Sequence, residues 1–96
     1  MSREKIIKKL NDDLPALKNQ YSIKTLGIFG SVARGDDTPQ SDIDILIDFN
    51  EPIGFFEFIR LENTLSDLLN QKVDLVTDRA LKHVIKQDVL KEIIYV

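Results

Sequence analysis

Ser41-Asp42-Ile43-Asp44-Ile45-Leu46-Ile47-Asp48-Phe49 decides how this 96-residue chain folds. Side chains on a strand point alternately to its two faces, so Ile43, Ile45 and Ile47 share one face while Asp42 and Asp44 share the other. The isoleucine face calls for burial, and the carboxylates are presented opposite it. Two like charges ~6–7 Å apart on such a strand repel each other, and a hard divalent cation with oxygen ligands is the usual compensation. Asp48 continues the carboxylate face farther along, where solvent suffices, and it receives no assignment.

Upstream, Thr25-Leu26-Gly27-Ile28-Phe29 reads as a short buried strand ending at Gly30, and Ser31-Val32-Ala33-Arg34 suits a single helical turn. Free backbone N–H groups and the positive end of a helix dipole at Gly30-Ser31 can bind phosphate. Gly30 lets a phosphate come close to the backbone, and the Ser31 hydroxyl can donate to it. Arg34 has two readings of equal weight: contact with phosphate or the metal-site loop, or an ion pair with Asp36 or Asp37. Residues 35–41 are dense in turn formers and read as a loop.

Downstream, Phe55, Phe58, Ile59, Leu61, Leu65, Leu68 and Leu69 keep a helical period between Gly54 and Gln71, and the aromatic end of this helix is expected to pack on the sheet. Lys72 to Thr77 is a third strand. Within it Asp74 interrupts Val73-Leu75-Val76, where a carboxylate is costly unless it is paired or ligates metal. Asp74 reads as the third ligand, against the plainer readings of a turn-end carboxylate or an ion pair with Lys72. If the third strand lies beside the second, the three carboxylates could hold two metal ions ~3.5–4 Å apart, with Asp74 placed to accept a hydroxyl proton.

The amino-terminal segment carries Ile6, Ile7 and Leu10 at helical spacing, continued by Leu14 and Leu17. Pro15 predicts a break near Asp12 to Leu14 and a second short helix to about Gln20. From Asp78 onward one or two closing helices are expected, and Ile94-Tyr95-Val96 could pair as an edge strand. His83, the sole histidine, reads as a surface residue. Helical spacing favours packing over base stacking for Phe55, Phe56 and Phe58, and Phe56 and Tyr95 are candidate interface residues. The order helix, strand, loop, strand, long helix, strand, helix predicts an α/β (α+β) fold, a small mixed sheet flanked by helices in one domain over residues 1–96.

Composition narrows the function. Hydrophobic residues make up 43% of the chain and charged ones 30%, as in ordinary globular proteins. Thirteen basic against 16 acidic residues give a net charge of −3, which argues against direct binding to nucleic acid. There is no cysteine, no signal-type apolar run and no stretch near the ~20 apolar residues of a membrane span, so a cytoplasmic location is expected. Phosphate must be bound locally, and a metal bridging carboxylates to it would supply the missing positive charge.

Taken together, Gly30-Ser31-Val32-Ala33-Arg34-Gly35, Ser41-Asp42-Ile43-Asp44-Ile45-Leu46-Ile47 and Val73-Asp74-Leu75-Val76 resemble the minimal nucleotidyltransferases of the DNA polymerase beta superfamily. The resemblance implies two Mg²⁺ ions and transfer of a nucleoside monophosphate, with AMP from ATP the first choice, and release of pyrophosphate. By position it gives Gly30 and Ser31 the triphosphate role, Asp42 and Asp44 the metal-ligand role, and Asp74 that of third carboxylate. Many proteins of this size in the family resemble the antitoxin of a toxin–antitoxin pair, beside a HEPN-domain RNase. The implied partner is then such a toxin, held in a hetero-oligomer and modified on a hydroxyl. The competing reading is a binding module that masks its toxin by contact alone. Transfer to a small molecule would need an acceptor pocket that so short a chain could build only between subunits.

Overall fold

The computed structural model describes residues 2–96. Alternation in the 41–49 stretch sets its sheet: Ile43, Ile45 and Ile47 are wholly buried while Asp44 between them is half-buried. The elements in order are α1 (Arg3–Tyr21), β1 (Ile23–Phe29), α2 (Gly30–Arg34), β2 (Ile43–Phe49), α3 (Phe55–Leu69), β3 (Val73–Thr77), a 3₁₀ turn (Asp78–Ala80), α4 (His83–Glu92) and β4 (Ile94–Tyr95). The strands lie in the order β3-β2-β1-β4. β1 runs antiparallel to both β2 and β4, whereas β2 and β3 are parallel, as a crossover through a helix of α3's length requires. The sheet is mixed and small, as the element order predicts, and of the two readings open for the last residues the edge strand holds, over Ile94–Tyr95.

One face of the sheet carries the core. Ile6, Leu10, Leu14 and Leu17 of α1 and Leu61, Leu65 and Leu69 of α3 pack there with Leu26, Ile28, Ile45 and Leu75. The other face is more thinly covered: Ile93 and Tyr95 fill the space above Gly27, and α4 rests on α2. The acidic side chains of Asp44 and Asp74 are therefore displayed on the side away from the main core.

The predicted break in the first helix does not occur. α1 runs without interruption through Pro15, because Ile6, Leu10, Leu14, Leu17 and Tyr21 form one stripe that stays in register across it, and all five are buried. Pro15 itself is exposed, so its ring meets solvent and the freed carbonyl of the preceding turn can bond water. Packing of the stripe outweighs a local preference worth ~3 kcal/mol. The aromatic end of α3 also departs from expectation. Phe58 packs against the core, but Phe55 is 71% exposed and stacks edge to face on Phe56, which is 80% exposed as a candidate interface residue should be. In α4 only Val89 is buried, leaving Val84, Ile85 and Leu90 in solvent.

α3 also secures the outer strand. The Ser66 hydroxyl accepts the Val73 N–H at 3.0 Å, and the Glu62 carboxylate accepts the Leu75 N–H at 2.9 Å. Both peptide groups flanking Asp74 are held from outside, leaving its side chain to the open face.

If packing alone carries α1 across Pro15, Pro15→Ala should restore the missing hydrogen bond and stabilise the protein by about 1–3 kcal/mol. Urea titration measures this, and a less stable variant would show that the proline fits α1 better than argued here.

Candidate active site

The pairing register puts the acidic residues in line. Asp44 of β2 pairs with Phe29 of β1 on one side and with Asp74 of β3 on the other, so one row crosses the sheet at the end of β1. Residues paired across strands point to the same face, which places the Asp44 and Asp74 side chains together on the face opposite Ile45. Asp42 lies just before β2, two residues from Asp44 and on the same side by alternation. Its approach is pinned: Gln71 donates its side-chain amide to the Ser41 carbonyl at 2.7 Å, and the Ile43 N–H bonds the Lys72 carbonyl at 2.9 Å.

Gly30 begins directly beyond this row. Its φ of +74° lies in the left-handed region, and a Cβ built there would collide with Asp44 Oδ2, so a side chain is excluded on two counts. Closeness to Asp44 is thereby built into the turn. α2 is a single turn that leads to Arg34, with Ser31 half-buried in its first residues.

Arg34 takes the ion-pair reading with Asp36, at 3.2 Å, and not with Asp37. A second partner comes from far along the chain: Glu92 at the end of α4 lies 3.1 Å from the Arg34 guanidinium and accepts the Gly30 N–H at 2.9 Å. Its two contacts raise the Arg34 pKa further, hydrogen bonding to Glu92 first and to Asp36 second, which keeps the guanidinium charged. Lys72 pairs with Asp42, at 3.7 Å, rather than with Asp74. Asp74 stands exposed, and Asp48 is half-buried and accepts the N–H of the next residue, Phe49. His83 is exposed at the start of α4, as expected.

Asp44 is the strained member. Burial pushes its carboxyl pKa up, and the charges of Asp74 and Asp42 push it further, with Arg34 opposing and Glu92 adding to the effect. Three carboxylates thus share one field. Among the described residues no three such side chains are gathered tightly enough to hold an ion as they stand, since Asp42 leans to Lys72 and Asp74 faces solvent. The donor set is nonetheless all carboxylate oxygen with uncompensated negative charge, which suits a hard divalent cation.

A cavity of about 720 Å³ lies elsewhere: at the far ends of β2 and β3, between the 50–54 loop, Phe55, Phe58 and Thr77. Its walls are largely apolar, whereas the row across β2 and β3 gathers carboxylates whose charges act on one another, so the carboxylates and not the cavity mark the candidate active site. Sequence reading had not singled out Glu92, Gln71, Glu62 or Ser66. A charged residue at the end of a polar helix carries no local mark of a contact 62 residues away.

The nucleotidyltransferase domain family matches residues 4–96. The chain is 48% identical over 81 residues to a Methanocaldococcus jannaschii protein named for protein adenylyltransferase activity, covering 83% of each. A solved structure described as a minimal nucleotidyltransferase superposes with a TM-score of 0.84 at 33% identity, over 98% of this chain and 95% of that one. A structure of a tri-AMPylated Shewanella oneidensis HEPN toxin in complex with MNT antitoxin matches at a TM-score of 0.60 and 27% identity, over 97% of this chain and 66% of that one.

Two substitutions test the geometry. Because the folded-state pKa of Asp44 lies above its ordinary 3.8, the ionised carboxylate weakens the fold at pH above that raised value, and the weakening disappears below the unfolded value. Metal-free Asp44→Asn should therefore melt a few degrees higher than wild type at neutral pH, with the gap closing as acid protonates the wild-type residue. Lower melting at neutral pH would refute the repulsion. Gly30→Ala should lose about 1–3 kcal/mol by chemical denaturation, from backbone strain plus the clash with Asp44.

Proposed function

Because this chain belongs to the nucleotidyltransferase family, we propose that it transfers AMP from ATP to a hydroxyl of a partner protein, with Asp42, Asp44 and Asp74 as the reacting carboxylates. The observation that carries this reading is the alignment of Phe29, Asp44 and Asp74 in one row that ends at the Gly30 turn. It brings charge that seeks a cation next to backbone that can receive phosphate.

Two Mg²⁺ ions would be held by Asp42 and Asp44 as principal ligands and by Asp74 as the third, once Asp42 leaves Lys72. When bound, such ions neutralise the phosphates and make an attacking hydroxyl easier to ionise. The chain's own groups do the rest. The Gly30 N–H and the Ser31 hydroxyl bind oxygens of the triphosphate tail, and Arg34 balances their charge. Asp74, exposed and free of Lys72, accepts the proton of the acceptor hydroxyl. The acceptor oxygen bonds to the α-phosphorus as the bond to the β-phosphate oxygen breaks, and pyrophosphate leaves.

The relatives support AMP and a protein acceptor: one is named for protein adenylyltransferase activity, and the solved complex joins MNT antitoxin to an AMPylated HEPN toxin. On this reading residues 1–96 form one transferase unit that acts in the cytoplasm as an antitoxin, in a hetero-oligomer with a HEPN-type toxin. No helix of the described residues is long and apolar enough to cross a membrane. A second reading, masking of the toxin by contact alone, draws on the exposed Phe55, Phe56 and Tyr95.

Incubation with α-phosphate-labelled ATP, Mg²⁺ and the product of the neighbouring gene should label that product. Asp42→Asn and Asp44→Asn should each reduce the rate on the order of a hundredfold or more. Undiminished labelling by both variants would remove the carboxylates from the chemistry. Toxin inhibition that survives in Asp42→Ala and Asp44→Ala would favour masking.

A further inference from the structure

Glu92 closes α4, and its carboxylate sits on the very donors that the proposed reaction assigns to phosphate. One of its oxygens accepts the Gly30 N–H at 2.9 Å and the Arg34 guanidinium at 3.3 Å, and the other meets the same guanidinium at 3.1 Å. A carboxylate oxygen and a phosphate oxygen present the same thing to an N–H: a charged acceptor at hydrogen-bond distance. A single N–H cannot serve both at full strength, so one must leave when the other arrives.

What α4 itself contributes to holding Glu92 in place is slight. Val89 is the sole buried residue of α4, Val84, Ile85 and Leu90 are exposed, and β4 beyond it pairs over only two residues. An element with so few buried contacts opens at low free-energy cost. The Glu92 side chain is nevertheless 24% exposed, against 49% for Arg34, so its ion pair is better shielded than the one Arg34 makes with Asp36, whose side chain is 61% exposed.

We propose that Glu92 is an intramolecular competitor for the nucleotide's phosphate tail, seated on Gly30 and Arg34 when nucleotide is absent and displaced when a triphosphate binds. The inference rests on the reading of Gly30 and Arg34 as triphosphate residues. Displacement releases the end of α4 and the residues that lead into β4, so occupancy of the site is transmitted to the carboxyl-terminal segment. Apparent affinity is lowered by the fraction of molecules in which the seat is filled. Ligands too short to reach the seat escape this competition.

Isothermal titration of the whole chain with a non-hydrolysable ATP analogue and Mg²⁺, and separately with AMP, tests the proposal in wild type, Glu92→Gln and Glu92→Ala. The triphosphate should bind Glu92→Ala roughly tenfold more tightly, as expected for a seat open about one time in ten. Glu92→Gln, which keeps an acceptor oxygen but loses the charge, should gain less. AMP affinity should stay the same in all three. In wild type, adding the triphosphate analogue should speed amide hydrogen exchange over residues 92–96, a readout that needs no variant to fold. Unchanged or weaker triphosphate binding in both variants, an equal gain for AMP, or slower exchange at 92–96 would each overturn the competitor. If wild type and both variants are folded by circular dichroism and none binds the triphosphate, the nucleotide site itself is refuted and the competitor falls with it.

Discussion

Everything in this molecule is arranged around an unfavourable interaction, the mutual repulsion of acidic side chains on one face of a strand pair whose other face is solid core. Ile43, Ile45 and Ile47 leave β2 no freedom to turn over, because a one-residue slip would bury the aspartates and expose the isoleucines. Parallel pairing with β3 then sets Asp74 beside Asp44. The charges cannot move apart without the core moving with them. Stability from the α1–α3 side holds in place a cluster that is strained on its own, as functional sites commonly are.

The turn at Gly30 makes the same point at atomic scale. Absence of a side chain there lets β1 end against the Asp44 carboxylate, so the backbone proposed to receive phosphate and a carboxylate that would repel it are brought close together. Only something carrying positive charge can reconcile the two. In the structure as it stands Arg34 and Lys72 do so in part, each from the edge of the cluster.

Much of this could be read directly from the sequence. Alternation gave β2, an interrupted apolar run gave Asp74, a glycine after a buried strand gave the turn, and helical periodicity gave α3. What could not be read was decided by contacts between distant segments. Pro15 breaks helices by a local rule, yet the stripe from Ile6 to Tyr21 packs on the core in one register and overrides it. Phe55 keeps helical spacing, but the first turn of α3 stands beside the open cavity instead of on the sheet. Glu92 is invisible by any local pattern, since its partners, Gly30 and Arg34, lie near the other end of the chain.

The hydrogen bonds from Ser66 and Glu62 to the outer side of β3 reach beyond the residues they hold. An incoming strand would find those amide donors already spent, while at the opposite margin β4 offers only two residues to pair with. The sheet is thus closed to lengthwise extension at one border and barely open at the other, which discourages copies of the chain from zipping together edge to edge. A protein that engages this one is thereby steered toward side-chain surfaces rather than strand addition.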